Sequence, residues 1–157
     1  MAANTSPIFP LTPNCAPAVI AAANTARDGS GTLVTLLTAG VNGARVDWIR
    51  WTSAQATAAA LSGTMVARIW VTDAADANIG LIAEGVITSA TASNLVAGAY
   101  GFFDFVNGTY TNTAGTVVSI GINGGLIVNA GYKIKVTQSI YVGVQDRMSV
   151  TIKAGDF

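Results

Sequence analysis

The stretch Thr32–Ser53, TLVTLLTAGVNGARVDWIRWTS, decides the fold class. A run rich in threonine, valine and leucine (Thr32–Thr38) enters Gly40 and Asn42-Gly43. Ala44–Ser53 then interleaves charged and apolar residues: Arg45, Val46, Asp47, Trp48, Ile49, Arg50, Trp51. β-Branched and aromatic side chains suit a pleated, half-buried surface. Asn-Gly tolerates the positive φ of a tight reversal. The spacing predicts strand, turn, strand.

Outward from this segment the same pattern recurs. Thr64–Thr72, Ile79–Thr88, Gly98–Val106, Thr116–Ile122, Leu126–Val128, Tyr132–Gln138, Tyr141–Val144 and Met148–Lys153 read as further strands. Asp28-Gly29, Asn107-Gly108 and Asn123-Gly124 supply further turns. Only Ala54–Leu61 permits a helix, and it is short. Many short strands without alternating helices predict an all-β, antiparallel, jelly-roll-like sandwich. In Thr64–Thr72 both faces carry bulky apolar residues (Met65, Ile69 and Val71 against Val66 and Trp70), so the outer face of that strand must also be covered. All four prolines fall in residues 1–17, which predicts an extended N-terminal arm ahead of a single β-sandwich domain, 18–157.

Composition narrows the function. Of 157 residues 10% are charged, against about a quarter in ordinary soluble domains, and the formal net charge is zero. A chain so short of charge invites self-association. It lacks the clustered positive charge for nucleic acid or for an anionic membrane surface, and no run approaches the ~20 apolar residues of a spanning helix. Residues 1–17 lack the basic and hydrophobic regions of a signal peptide, so assembly in the cytoplasm is expected. Lacking histidine, the chain has no Ser-His or Cys-His nucleophile arrangement. With the single Cys15, a zinc site is excluded as well. The expectation is a non-enzymatic protein with no catalytic, cofactor-binding or metal site.

Three groups of residues each admit a functional and a plainer reading. Asp104, among Tyr100, Phe102, Phe103 and Phe105, could have its pKa raised by burial, but an acid at a strand end is more often tied to a backbone donor. Asp73, Asp76 and Asn78 form an oxygen-rich loop, which is common without Ca²⁺. Trp48, Trp51 and Trp70 would suit stacking on a sugar, though such residues more often anchor cores or interfaces. For contacts with other protein, the candidates are the apolar residues of the arm, Ile8, Phe9 and Leu11, and the charges Arg27, Asp28, Arg45, Asp47 and Arg50.

Asn24–Thr32 (NTARDGSGT), Thr38–Arg50 (TAGVNGARVDWIR) and Ala130–Val136 (AGYKIKV) give the chain a further feature. In these segments it resembles small virion structural proteins of tailed bacteriophages. The resemblance covers the first third and, loosely, the last quarter; Ala54–Thr116 has no distinctive match. It implies a capsid decoration or head-auxiliary protein that binds the major capsid protein and itself, with a trimer as the first candidate. The location implied is the capsid surface of the virion, after assembly in the bacterial cytoplasm. The runner-up is a receptor- or carbohydrate-binding module of a tail or fibre.

Overall fold

Four strand pairs nest inside one another along the chain. A computed structural model describes residues 12–54, 61–77, 79–89 and 98–157. Its strands are β1 (Thr12–Asn14), β2 (Pro17–Ile20), β3 (Val34–Thr38), β4 (Ala44–Ser53), β5 (Met65–Thr72), β6 (Ile79–Ile87), β7 (Tyr100–Asp104), β8 (Thr109–Asn112), β9 (Val117–Ser119), β10 (Leu126–Val128), β11 (Lys133–Gln138) and β12 (Met148–Asp156). β5 pairs with β6, β4 with β7, β3 with β11 and β2 with β12, all antiparallel. Successive pairs alternate between two sheets, which is the winding of a jelly roll. The first sheet runs β1-β12-β4-β7-β8-β9, with β2 also on β12 and β10 also on β4. The second runs β3-β11-β5-β6. The all-β antiparallel sandwich read from the sequence is the observed fold.

The turns explain why the strands stop where they do. Gly29, Gly43, Gly108 and Gly124, one in each Asx-Gly pair, all have φ between 68° and 91°. Gly43 is the most constrained, because a Cβ there would lie 2.7 Å from the Val128 carbonyl oxygen. Its N–H closes the β3–β4 turn onto Gly40 O at 3.0 Å.

Side chains alternate between core and outer face except where the register slips, in the β3–β11, β5–β6 and β4–β12 pairs. On β4, Ala44 and Val46 point inward, then the register with β12 shifts between Lys153 and Ala154. The bulge leaves Asp47 and Trp48 both off the core, after which Ile49 and Trp51 turn inward again. Trp51 and Phe103 meet between the sheets at 5.4 Å, and Phe103 lies 4.4 Å from Tyr110. Met65, Ile69, Ile134, Val136, Met148, Val150 and Ile152 fill the rest of the fully buried centre.

The outer face of the second sheet is covered, as the two-faced pattern of β5 requires, and the cover is the chain's own β2–β3 connection. Asn24 N donates to Gln138 O on β11 at 2.8 Å, Arg68 Nη1 donates to Asn24 O at 3.1 Å, and Arg27 reaches Glu84 on β6. Trp70, 1% exposed, lies on that face with its indole N–H on Thr137 Oγ1. At this strand the apolar outer face is therefore not a sign of a neighbouring subunit.

Two expectations need correction. Tyr141–Val144 is not a strand: the segment is a loop running into a 3-10 turn, Val144–Asp146, because the Asp146 carboxylate draws the Val142 N–H inward. β8 went unpredicted, although a partner strand is what the Asn107-Gly108 turn demands. Within residues 1–17, Thr12–Asn14 and Pro17 are extended and paired along the free edge of β12, where proline is tolerated. β2 continues through position 18 to Ile20. Ile8, Phe9 and Leu11 lie outside the described residues, as do residues 55–60 of the helix-permissive stretch.

Candidate functional site

The charged residues singled out in the sequence do not form one cluster. Arg27 pairs with Glu84 at 2.6 Å, 57 residues away, over the second sheet. Glu84 also receives Arg68 Nε at 3.4 Å. Neighbouring Asp28 instead accepts the Ser30 hydroxyl and backbone N–H, which hold its carboxyl below the usual range. Arg45 and Asp47 do meet, at 3.1 Å on the outer face of the first sheet, joined by Lys153 at 3.3 Å. Arg50 lies over the Tyr100 ring at 5.7 Å. The sequence missed Arg68, the buried hub of the first network; its partners come from distant segments.

The carboxylates are all occupied internally. Asp47, Asp76 and Glu84 sit in ion pairs, which accounts for three of the eight. Each of the other five, Asp28, Asp73, Asp104, Asp146 and Asp156, accepts a backbone N–H. Asp104 ties the β7–β8 turn: burial works to raise its pKa, but bonds from Asn107 and Val106 outweigh it and leave the carboxyl low. This is the plainer of the two readings weighed for it.

Asp76 sits where the Ca²⁺ reading placed a cation, and Lys133 and Lys135 each approach it at 2.9 Å instead. Asn78 lies outside the described residues. The lysines and the Thr72 hydroxyl depress the Asp76 pKa far below its ordinary value. A depressed carboxylate stabilises the fold above the unfolded-state pKa, about 3.9, and that stabilisation is lost as pH falls through the folded value. Asp76 has φ 61°, which asparagine also adopts well. Asp76→Asn is therefore expected to melt below wild type at neutral pH, with the gap closing as melts are taken below about pH 4. A gap unchanged down to pH 2 would mean the ion pairs contribute nothing.

Among the described residues an aromatic face, a groove and a loop tip remain open. The first is the outer face of the first sheet, where Trp48 meets Phe102 in a tilted contact at 5.9 Å, both partly exposed beside Tyr100 and Arg50. Trp51, 0% exposed, and Trp70 are interior, so only Trp48 of the three can meet a ligand.

The second is a groove of about 640 Å³ where the two sheets end on the same side of the sandwich. One wall is β6; the other is β8, β9 and the residues that follow, with Val118 51% and Val86 44% exposed. Tyr110 and Asn112 cross the seam to the Val86 carbonyl at 2.8 and 2.9 Å. The Tyr110 ring occupies the space where a side chain at position 85 would stand, which is why glycine is there. Burial pushes the Tyr110 phenol up, so it remains a donor to Val86.

At one end of the sandwich Val142 and Val144 stand 76% exposed on the β11–β12 loop, held by the buried Asp146. Cys15 is exposed between β1 and β2. Among the described residues no group of acids or Cys is placed to hold a metal, and no helix is long and apolar enough to cross a membrane.

No family model matches the chain, and no curated protein matches it. A solved structure titled "Structure of infectious bursal disease virus Gx strain" overlaps 98% of this chain at 17% identity with a TM-score of 0.25. The chain spans about a third (34%) of that structure's chain, and a similarity this low carries no argument about function.

Proposed function

We propose that the chain is a non-enzymatic structural subunit of a phage virion, a decoration protein that binds and stabilises the lattice of a major capsid protein and associates with itself. One observation carries the reading. Every carboxylate is consumed within the fold, while the groove keeps apolar walls on which Val86 and Val118 stand exposed. Scattered exposed apolar residues are ordinary, but contiguous ones mark protein interfaces. The fold itself is neutral on function. The resemblance of Asn24–Thr32, Thr38–Arg50 and Ala130–Val136 to phage virion proteins supplies the partner class.

The test is co-sedimentation of the purified chain with mature heads of the phage that encodes it. Saturation at a fixed copy number per head is expected. Recovery of the chain in the supernatant at every ratio contradicts the proposal. The Trp48–Phe102 pair and Tyr100 favour a second reading, a glycan-binding module of a tail or fibre. That reading requires glycan binding that disappears in Trp48→Ala.

A further inference from the structure

The groove is bounded by an unpaired strand edge. β6 closes the order of the second sheet and has no strand partner beyond it among the described residues. Val66 directs both its N–H (to Ser139 Oγ, 2.8 Å) and its C=O (to Ser139 N, 3.0 Å) toward β11. Its antiparallel partner across the ladder is Val86, which therefore points its own backbone groups away from β5. Glu84, two residues along, faces the same way. The Val86 carbonyl is taken by Tyr110 and Asn112, which leaves the Val86 N–H and both Glu84 backbone groups directed into the groove. An exposed edge beside an apolar wall is the arrangement that accepts an added strand.

We propose that this groove receives Ile8–Leu11 from a second copy of the chain, which deepens the self-association part of the function proposed above. Ile-Phe-Pro-Leu is uncharged and apolar, matching Ile82, Val86, Val118 and Ile120 of a groove whose charged lining residues, Arg27, Arg68 and Glu84, pair with one another. An added strand offers only alternate residues to β6, so Phe9 and Leu11 supply the backbone bonds while Pro10 faces away.

The segment cannot be the molecule's own. It joins Thr12, which pairs with Asp156 at the β1 edge of the first sheet, while the groove lies at the β8–β9 edge. That distance is four to five strand spacings, about 19–24 Å. Four residues beyond Thr12 reach about 14 Å at most. Donor and acceptor thus lie on opposite edges of one subunit, which makes the contact head-to-tail, and the proposal is that its rotation divides a full turn, so that it closes as a ring rather than extending as a filament.

The test uses the full chain carrying Cys15→Ser with Phe9→Cys and Val118→Cys, oxidised and separated by denaturing electrophoresis. The expected product is a ladder ending at one closed cross-linked oligomer. A bridge that leaves a monomer shows the chain's own segment in the groove and overturns the proposal. A non-cross-linked chain that still sediments as an oligomer assigns the contact to another surface and overturns it as well.

Val118→Asp, at a half-exposed site that leaves the core intact, is expected to raise the subunit dissociation constant at least tenfold with an unchanged melt. No rise overturns the proposal. Because these readouts need no capsid, the two proposals fail separately. A chain that saturates heads yet sediments alone as a monomer loses the ring and keeps the capsid partner. One that forms the ring and ignores heads does the reverse.

Discussion

Asp146→Ala is expected to cost about 2–6 kcal/mol of stability. The residue is fully buried, and its carboxylate accepts Ser62 N at 2.7 Å and Val142 N at 2.8 Å, joining the β4–β5 and β11–β12 loops. Alanine removes the acceptor from both part-buried bonds, at up to about 1–3 kcal/mol each. Small domains are stable by about 5–15 kcal/mol, so a loss at the upper end unfolds part of the population. Burial alone would raise this carboxyl; the bonds from Val142 and Ser62 outweigh it and leave the pKa low.

The stabilisation is therefore present above about pH 3.9 and lost as pH falls through the folded value. Asp146→Asn keeps one acceptor oxygen and should lose less. Urea melts check this: the midpoint falls and the slope is unchanged. A loss under about 1 kcal/mol would mean that water reaches both amides. Val142 and Val144 stand on the loop that these bonds hold, so Asp146→Asn also tests whether that tip contributes to capsid binding.

Phe103→Ala should cost about 3–5 kcal/mol, the usual range for removing a large buried aromatic. Its ring is fully buried between Trp51 and Tyr110. Alanine therefore removes the contact at the middle of the core and loosens the Tyr110 ring that crosses the groove seam. Phe102→Ala, one residue back and on the outer face, should cost about 1 kcal/mol, since only the Trp48 contact is lost. The contrast in denaturant melts is the check. Equal losses would mean that neighbouring residues of β7 do not face opposite sides.

Much of this fold could be read locally. The limits of β4 and β10 follow from the Ala44–Ser53 alternation and from Gly125 and Asn129 flanking Leu126–Val128. Strand partners could not, because nothing within Val34–Thr38 marks Lys133–Gln138 as its neighbour. β1 and β2 were hidden by prolines that an edge tolerates. β8 was hidden by its brevity, four residues without an aliphatic side chain, although Thr and Tyr favour strands and Tyr110 lies in the core. What covers the outer face at Trp70 and Arg68 could not be read locally, because the covering segment lies some 40 residues upstream (Arg68 to Asn24, a separation of 44). Of the charges chosen from the sequence, Arg45 and Asp47 meet because they stand two apart on one strand. Arg27 finds Glu84 only through the tertiary fold.

What everything above rests on is that a skin poor in free charge is completed by other protein. Occupancy of mature heads, titrated at low and at high salt, tests it directly. Burial of apolar surface is not screened by ions, unlike attraction between exposed charges. Saturation at one copy number under both conditions is the expected result. Heads that stay bare, or that release the chain when salt is added, would show that its apolar surface is not completed by the capsid.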